Sequence, residues 1–459
     1  MLCCMAGLEY MKMSKGGHQN EKLDEQIWIE MLRKIGHATQ QVKRHLEIDF
    51  TPSPHYQTPL YQQTRGREKP YFRNGKKNSY SKVKDMPSES IKTEQEAEDF
   101  VLGCSFMGTG GGGDPTVGLK LLLEDLKEGR EIKWVDTSQV PDDAWTCTPF
   151  YMGSIAPPSP DTKKKMKQLG LVEKKYENTL TNAIKQLEKY RGINVQAIVP
   201  VELGGINTPA PLDAAARMGL TAVDGDYAGR AIPEIGQATP VLYDKKLCPI
   251  TSVDTWGNTC IIDDAVNYDV AEALGKMIST VAYGLCGQSG FAMSGREMKE
   301  AVVLGTLTEC LKLGAAIRKA REKGASPVQA AVEAINGWLL FKGKVAKKEW
   351  EDKEGYMYGV HTFKGIDKDK GHTFKIWFKN ENHISWKDNQ PYVTSPDIME
   401  VVQLKTATPI TNTNLKEGDT VAIIGKKNEK YRTEKGLQVL GPTHFGFKLK
   451  YTPIEKLLR

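Results

Sequence analysis

Four consecutive glycines, Gly110–Gly113, stand between two helix signals in MGTGGGGDPTVGLKLLLEDLKEG, residues 107–129. No other stretch limits the fold as tightly. Upstream, TEQEAEDFVLG places Thr93 at an N-cap with Glu96 three residues on, a capping box that satisfies otherwise orphan backbone N–H groups. Downstream, Asp114 suits an N-cap and Pro115 the first helical position, where no N–H is needed. Leu119, Leu122, Leu123 and Leu126 then form one apolar face that ends at Gly129. The run is therefore predicted to join helix to helix. Glycine clusters of dinucleotide and P-loop folds follow a strand instead, and neither GxGxxG with a downstream acid nor GxxxxGK[ST] is present, which argues against a nucleotide-dependent enzyme. Backbone N–H groups near a helix N-terminus attract an anion or a polar ring oxygen. The alternative is that the glycines only permit tight helix packing. Gly110, Gly111, Gly112, Gly113 and Asp114 enter the set of candidate substrate-binding residues on the first reading.

After the loop, EIKWVD reads as a strand and ENTLTNAIKQLEKYRG as an amphipathic helix through Leu180, Ile184 and Leu187. NVQAIVPVELGGINTPAPLDAAARMGLTAVDGDYAGRAIPE reads as a buried strand, a polar loop, a helix over about 212–218 and a second strand, TAVDGD. This alternation predicts an α/β class with a layered N-terminal domain and a mixed or parallel sheet. The apolar stretch 271–293 carries Glu272 and Lys276, so it is expected to be a buried helix rather than a membrane span. Ser294 is expected to cap a helix, a further helix covers about 306–323, and another starts at Ser326-Pro327. Beyond Gly337 the pattern becomes WLLFKGKV, YGVHTFKGI, HTFKIWFKNENHISW, IMEVVQL and TVAIIG, a mainly antiparallel β module. The expected segmentation is a basic extension over 1–92, an N-terminal α/β domain over 93–252, and a C-terminal domain over 253–456 whose β module starts near 338.

Residues 1–92 differ in character. They hold one candidate helix at 21–46, and between Arg65 and Lys84 eight basic residues face the single acid Glu68. Low hydrophobicity and biased charge favour a solvated, largely disordered tail over a nucleic-acid surface. The formal charge of +6 is small for 459 residues and requires no nucleic acid. Eight cysteines without a CxxC pair read as reduced thiols, and the start is too short and too quickly charged for a secretory signal, so a cytoplasmic location and no membrane association are expected.

Acids beside glycines at the ends of apolar runs are the candidate chemistry. Glu202 lies in PVELGGIN, and Asp224, Asp226 and Glu234 lie in VDGDYAGRAIPE. Partial desolvation there raises a carboxyl pKa and makes a usable general acid or base; each acid is also a plausible turn or cap. Asp224, Glu202 and Asp226 are the candidate catalytic residues. Arg230 and Asn207 are candidate substrate orienters, with a salt bridge and a turn as the alternatives. Cys104 has the position of a nucleophile but suits a buried core thiol better, since no histidine is near it in sequence. No histidine occurs between 56 and 360, which disfavours a histidine zinc site in the α/β part; a divalent metal held by oxygens or with cysteine stays open, and His361, His383 and His444 are the histidines able to reach in from the β module. Asn380, Glu381 and Asn382 read as exposed strand residues.

MGTGGGGDPTVG, PVELGGINTPAPLDAAARMGL, VDGDYAGRAIPE, MSGREMKEAVVLGTL, FKGKV and FKNENHISW resemble, in order and spacing, the S-methyl thiohydantoin desulfurase family, whose members are often encoded beside hydantoinase and oxoprolinase proteins. The resemblance covers about Thr93 to Pro453. It departs at Leu304, where relatives usually carry proline, and in the unmatched basic extension. It implies an α/β N-terminal domain joined to a C-terminal domain containing β structure, and hydrolytic loss of methanethiol from an S-methylated thiohydantoin. On that expectation Asp224 or Glu202 activates water, the glycine-loop N–H groups stabilise the ring, and Arg230 and Asn207 orient it. The other class of reading is a non-catalytic ligand-binding or regulatory partner of a hydantoinase-type protein. Homo-oligomerisation stays open.

Overall fold

The N-terminal part of the ordered chain is built as strand β1 (Glu89–Ile91), helices α1 (Glu94–Met107) and α2 (Pro115–Lys127), strands β2 (Ile132–Val135) and β3 (Trp145–Met152), helices α3 (Pro160–Gln168) and α4 (Thr179–Arg191), strand β4 (Val195–Ile198), helix α5 (Pro209–Met218), strands β5 (Thr221–Val223) and β6 (Gly225–Asp226), and helix α6 (Thr239–Leu242). This is a computed structural model that describes residues 89–153, 158–353 and 355–458. The predicted helix at 21–46 and the basic tract at 65–84 lie outside the described residues.

The chain continues through β7 (Ile250–Asp254), β8 (Thr259–Ile262), α7 (Tyr268–Ala282), β9 (Cys286–Ser294), α8 (Gly295–Ala301), β10 (Val303–Leu304), α9 (Thr306–Glu322) and α10 (Pro327–Ala334). A β module follows: β11 (Trp338–Lys353), β12 (Tyr356–Gly365), β13 (Thr373–Lys379), β14 (Glu381–Lys387), β15 (Gln390–Thr394), β16 (Ile398–Gln403) and β17 (Thr420–Lys426), then α11 (Glu434–Leu440) and α12 (Ile454–Leu457).

Eight strands form one mixed sheet in the order β1-β2-β5-β4-β3-β9-β7-β8. Its parallel centre, β2-β5-β4-β3, is made by crossovers such as β4–α5–β5, in which Ile198 pairs with Ala222. β9 inserts antiparallel between β3 and β7, so residues beyond 286 complete a sheet begun before residue 100. A domain boundary at 252/253 falls within β7. The β module is a seven-stranded antiparallel sheet in the order β15-β14-β13-β12-β11-β17-β16.

Two expected segments divide. The apolar stretch 271–293 is helix only to Ala282; Tyr283 takes a left-handed conformation, φ 58°, and the rest becomes the buried strand β9. HTFKIWFKNENHISW reverses at Asn380, φ 56°, to give β13 and β14. Both local helix signals around the glycines hold: Thr93 and Glu96 make a reciprocal capping box, and Asp114 accepts from the Thr116 amide with Pro115 opening α2. No helix among the described residues is long and apolar enough to cross a membrane.

One core joins the early helices to the later chain. α1 packs on α9, where Gly103 and Gly314 let the backbones approach: a Cβ on either would collide with the carbonyl of Cys310 or Asp99. Phe100, Leu122, Trp134, Leu307, Leu313, Ile398 and Ile424 all bury in this cluster. Truncating an aromatic such as Phe100 to alanine there costs about 3–5 kcal/mol. Cys104 and Cys310 are buried in the same contact, which identifies Cys104 as a core thiol.

Candidate active site

The α1–α2 elbow is held by its carbonyls. Thr109 accepts from the Asn382 amide at 2.8 Å, Gly110 from the Asn412 amide at 2.7 Å, and Gly112 from the Ile206 amide at 3.1 Å. The elbow is thus tied to the loop after β4, to the β13–β14 reversal and to the segment before β17. At Gly111 a Cβ would collide with the Glu381 carboxylate, and at Gly112, φ +76°, with the backbone of Gly204. Only glycine allows these approaches. The loop's donors are partly committed: the Gly111 amide bonds the Gly108 carbonyl at 2.8 Å.

A cavity of about 820 Å³ opens beside the elbow, lined by Gly110–Gly113, Asp114, Glu202, Asn207, Glu234 and Glu381 among others. It lies past the C-terminal ends of the parallel strands β3 and β4, where α/β sheets place ligands. Glu202 is buried; one carboxylate oxygen accepts from the Ile232 amide at 2.6 Å and the other from Asn207. Burial pushes its carboxyl up to about 7, against those hydrogen bonds, with the Asp226 charge adding to the rise and Arg230 opposing it. Glu381 is also buried, and one of its oxygens has no hydrogen-bond partner. Burial, then the charge on Glu202, holds its proton on well above the usual carboxylate range. The charge on Glu202 thus acts on Glu381 beside the glycine elbow.

Another wall of the same cavity is ionic. Glu234 pairs with Lys379 and, at 2.7 Å, with His444 Nε2. Burial alone would raise its carboxyl, but the hydrogen bonds and charges of His444 and Lys379 prevail and hold it down at about 2. Glu272 accepts from the Ile235 amide at 2.8 Å, from the Tyr356 hydroxyl, and pairs with Lys276 at 2.8 Å.

Models of the S-Me-THD-like N-terminal domain and the S-Me-THD-like C-terminal domain match residues 95–264 and 266–454. The chain belongs to the S-Me-THD-like family. This is the family that the six sequence motifs resemble. A crystal structure of a protein from Chromobacterium violaceum is similar to this S-Me-THD-like chain over 80% of its length and 100% of the other, with a TM-score of 0.63 at 20% identity; the likeness is one of fold. No protein of curated function matches the chain significantly.

In this S-Me-THD-like chain the candidate residues separate into two groups. Gly110–Gly113, Asp114, Glu202, Asn207 and Glu234 line the cavity; Asp224, Asp226 and Arg230 do not. Asp224 instead accepts from the Leu307 and Thr308 amides at 3.1 and 3.0 Å and from the Thr308 hydroxyl at 2.6 Å, capping α9. Asp226, the last residue of β6, is buried and accepts from the Ala228 and Gly229 amides of the following turn at 2.7 and 2.6 Å; burial pushes its carboxyl up to about 7. Arg230 is fully buried and bonds the Thr109 hydroxyl and Asn382 carbonyl at 2.8 Å, the Ala231 carbonyl at 2.9 Å and the Asp397 carbonyl at 3.3 Å. These bonds commit its donors to the elbow and to neighbouring carbonyls.

Glu381 and Asn412 also line the cavity, although the sequence patterns do not single them out as candidates. Asn412 links the elbow to the Asn380 carbonyl at 2.8 Å and to His361 at 3.0 Å. The available signal for Glu381 was Asn380, a residue that tolerates the left-handed conformation needed to break an apparent strand. Among the described residues no group of three or more His, Cys, Asp or Glu side chains is arranged to hold a metal ion.

Proposed function

We propose that this chain is a hydrolase-type desulfurase acting on an S-methyl thiohydantoin or a related hydantoin-like heterocycle, with Glu202 and Glu381 as its acid–base pair. The observation that carries this reading is that two buried carboxyls, Glu202 and Glu381, line one cavity large enough for a small ring, with burial raising both, Glu202 to about 7 and Glu381 well above the usual carboxylate range.

The ring carbon bearing the S-methyl group is amidine-like and electrophilic. Ionised Glu202 takes one proton from water as its oxygen bonds to that carbon, and protonated Glu381 gives its proton to the ring nitrogen as the C=N bond becomes single. In the collapse, Glu381 recovers a proton from the new hydroxyl, C=O forms, the C–S bond breaks, and the leaving thiolate takes the proton held by Glu202. Water plus the S-methyl amidine thus yields the cyclic amide and methanethiol, with both acids restored. Asn207 fixes the Glu202 carboxylate, and Arg230 holds Glu381 against the elbow through the Asn382 carbonyl, so the pair needs little reorganisation.

Incubation of the purified protein with an S-methyl thiohydantoin, with free thiol trapped colorimetrically, tests the proposal. Thiol release by the protein alone is expected. Release only after addition of a hydantoinase-type protein favours the regulatory-partner reading, and no release under either condition overturns the desulfurase reading.

A further inference from the structure

The cavity is much larger than the ring it is proposed to hold, and its remaining lining, which also carries Ser279, Thr280, Tyr356, Thr411 and Asn414, includes a set of apolar side chains. Its volume of about 820 Å³ approaches the upper end of the roughly 300–1,000 Å³ that encloses drug-sized ligands. Beyond the acid pair, the walls include Phe150 and Met152, which share one face of β3, together with Leu285, Ile206 and Ile235. At this end the backbones pack closely: a Cβ on Gly153 would meet the Gly284 carbonyl oxygen at 2.5 Å and the Ser279 Cβ at 2.7 Å.

The charges facing the same space already have partners. Glu234 is paired with Lys379 and His444, Glu272 with Lys276, and Asp114 with its own helix start through the Thr116 amide at 2.9 Å and hydroxyl at 2.7 Å. Asp352 is exposed to solvent, where a charge contributes little to binding. A charged substituent would have to displace one of these pairs, whereas an apolar one buries against side chains that have no polar demand.

We infer that the substrate's ring carries a bulky apolar substituent, aliphatic or aromatic, on a carbon away from the thioether, seated between the end of β3 and the α7–β9 turn. This rests on the desulfurase reading for the reaction, but the subsite itself is a property of the walls. Burying such a group favours the substituted substrate by on the order of tenfold to a hundredfold.

The test compares three S-methyl thiohydantoins with the full chain: unsubstituted, 5-benzyl and 5-carboxymethyl. The 5-benzyl compound is expected to show the highest kcat/KM, and Leu285→Asp to narrow its lead over the unsubstituted one. Thiol release that is equal across the three, or fastest for the carboxymethyl compound, overturns the subsite and leaves the desulfurase reading standing. If none of the three releases thiol, the desulfurase reading fails, and calorimetric titration with hydantoin and 5-benzylhydantoin decides the subsite separately: tighter binding of the benzyl compound supports it, and equal or absent binding overturns it.

Discussion

Glu202 and Glu234 are the same residue type on walls of the same cavity, yet their carboxyls are displaced in opposite directions, to about 7 and to about 2. Both lose water on burial. Glu234 is compensated by two basic side chains, Lys379 and His444, whereas Glu202 receives only neutral donors, the Ile232 amide and Asn207, with the Arg230 guanidinium acting from behind the elbow. A bonded cation holds a pocket acid ionised, whereas an acid desolvated without one keeps its proton to higher pH and is the better placed of the two to exchange it near neutrality. Glu234 ties the segment after β6 to β13 and to the loop carrying His444.

The largest way to sharpen that contrast is Glu202→Gln, which preserves shape and removes the base. Thiol release is expected to fall by about 10²–10⁴ in kcat/KM. Its effect on stability has the opposite sign. A carboxyl raised from 4.5 to about 7 in the folded state costs stability progressively as pH rises from 4.5 to about 7, because the unfolded chain releases this proton before the folded one does. Glu202→Gln is therefore expected to be more stable than the parent above pH 7, by up to about 3 kcal/mol, and no more stable below pH 4.5. Urea titrations at pH 4.5 and pH 8 check this; equal stability at both would break the comparison.

Glu234→Gln is expected to behave in reverse. A carboxyl depressed from 4.5 to about 2 contributes stability that is present above pH 4.5 and lost as pH falls through about 2. The substitution should lower stability at pH 7 by about 3 kcal/mol and flatten its dependence on pH between 4.5 and 2. Loss of thiol release with unchanged stability would instead place Glu234 in the chemistry.

Glu381→Gln probes the second member of the pair. Turnover requires Glu202 ionised and Glu381 protonated, so the rate should rise with pH through about 7 and fall again where Glu381 loses its proton. The variant is expected to lose on the order of tenfold to a hundredfold in rate and to lose the alkaline fall, while the rise through about 7 remains. An unchanged alkaline limb assigns that limb to another group.

Local rules revealed the scaffold and half of the site. The capping box at Thr93, the Asp114-Pro115 start and the Ser326-Pro327 start involve neighbours in sequence, so they were legible. Glu202 and the glycines were legible because an acid or a glycine run past an apolar strand is a local pattern. Glu381 was not: only the reversal at Asn380 and the missing Cβ of Gly111, some 270 residues earlier in the chain, make it a pocket residue. The surroundings of Asp224 and Arg230 are not legible for the same reason. Nothing near Asp224 in sequence announces that α9 will start beside it, and nothing near Arg230 announces that Thr109 and Asn382 will take its donors.

The smallest expected effect is also the most direct check on that correction. Asp224 follows β5 much as Glu202 follows β4, and from sequence either acid suits the role of base. In the structure both Asp224 oxygens are engaged at the start of α9, by the Leu307 and Thr308 amides and the Thr308 hydroxyl, and that hydroxyl also accepts from the Trp134 indole at 2.9 Å. Asp224→Asn keeps one acceptor but loses the negative charge that favours a helix N-terminus, so it should cost about 0.5–2 kcal/mol of stability. Because the side chain lines no part of the cavity, kcat/KM for thiol release should stay within about twofold of the parent. Thermal melts and thiol trapping on one preparation separate the two roles. A variant that melts normally but releases no thiol would return Asp224 to the base position and leave Glu202 as a buried structural acid.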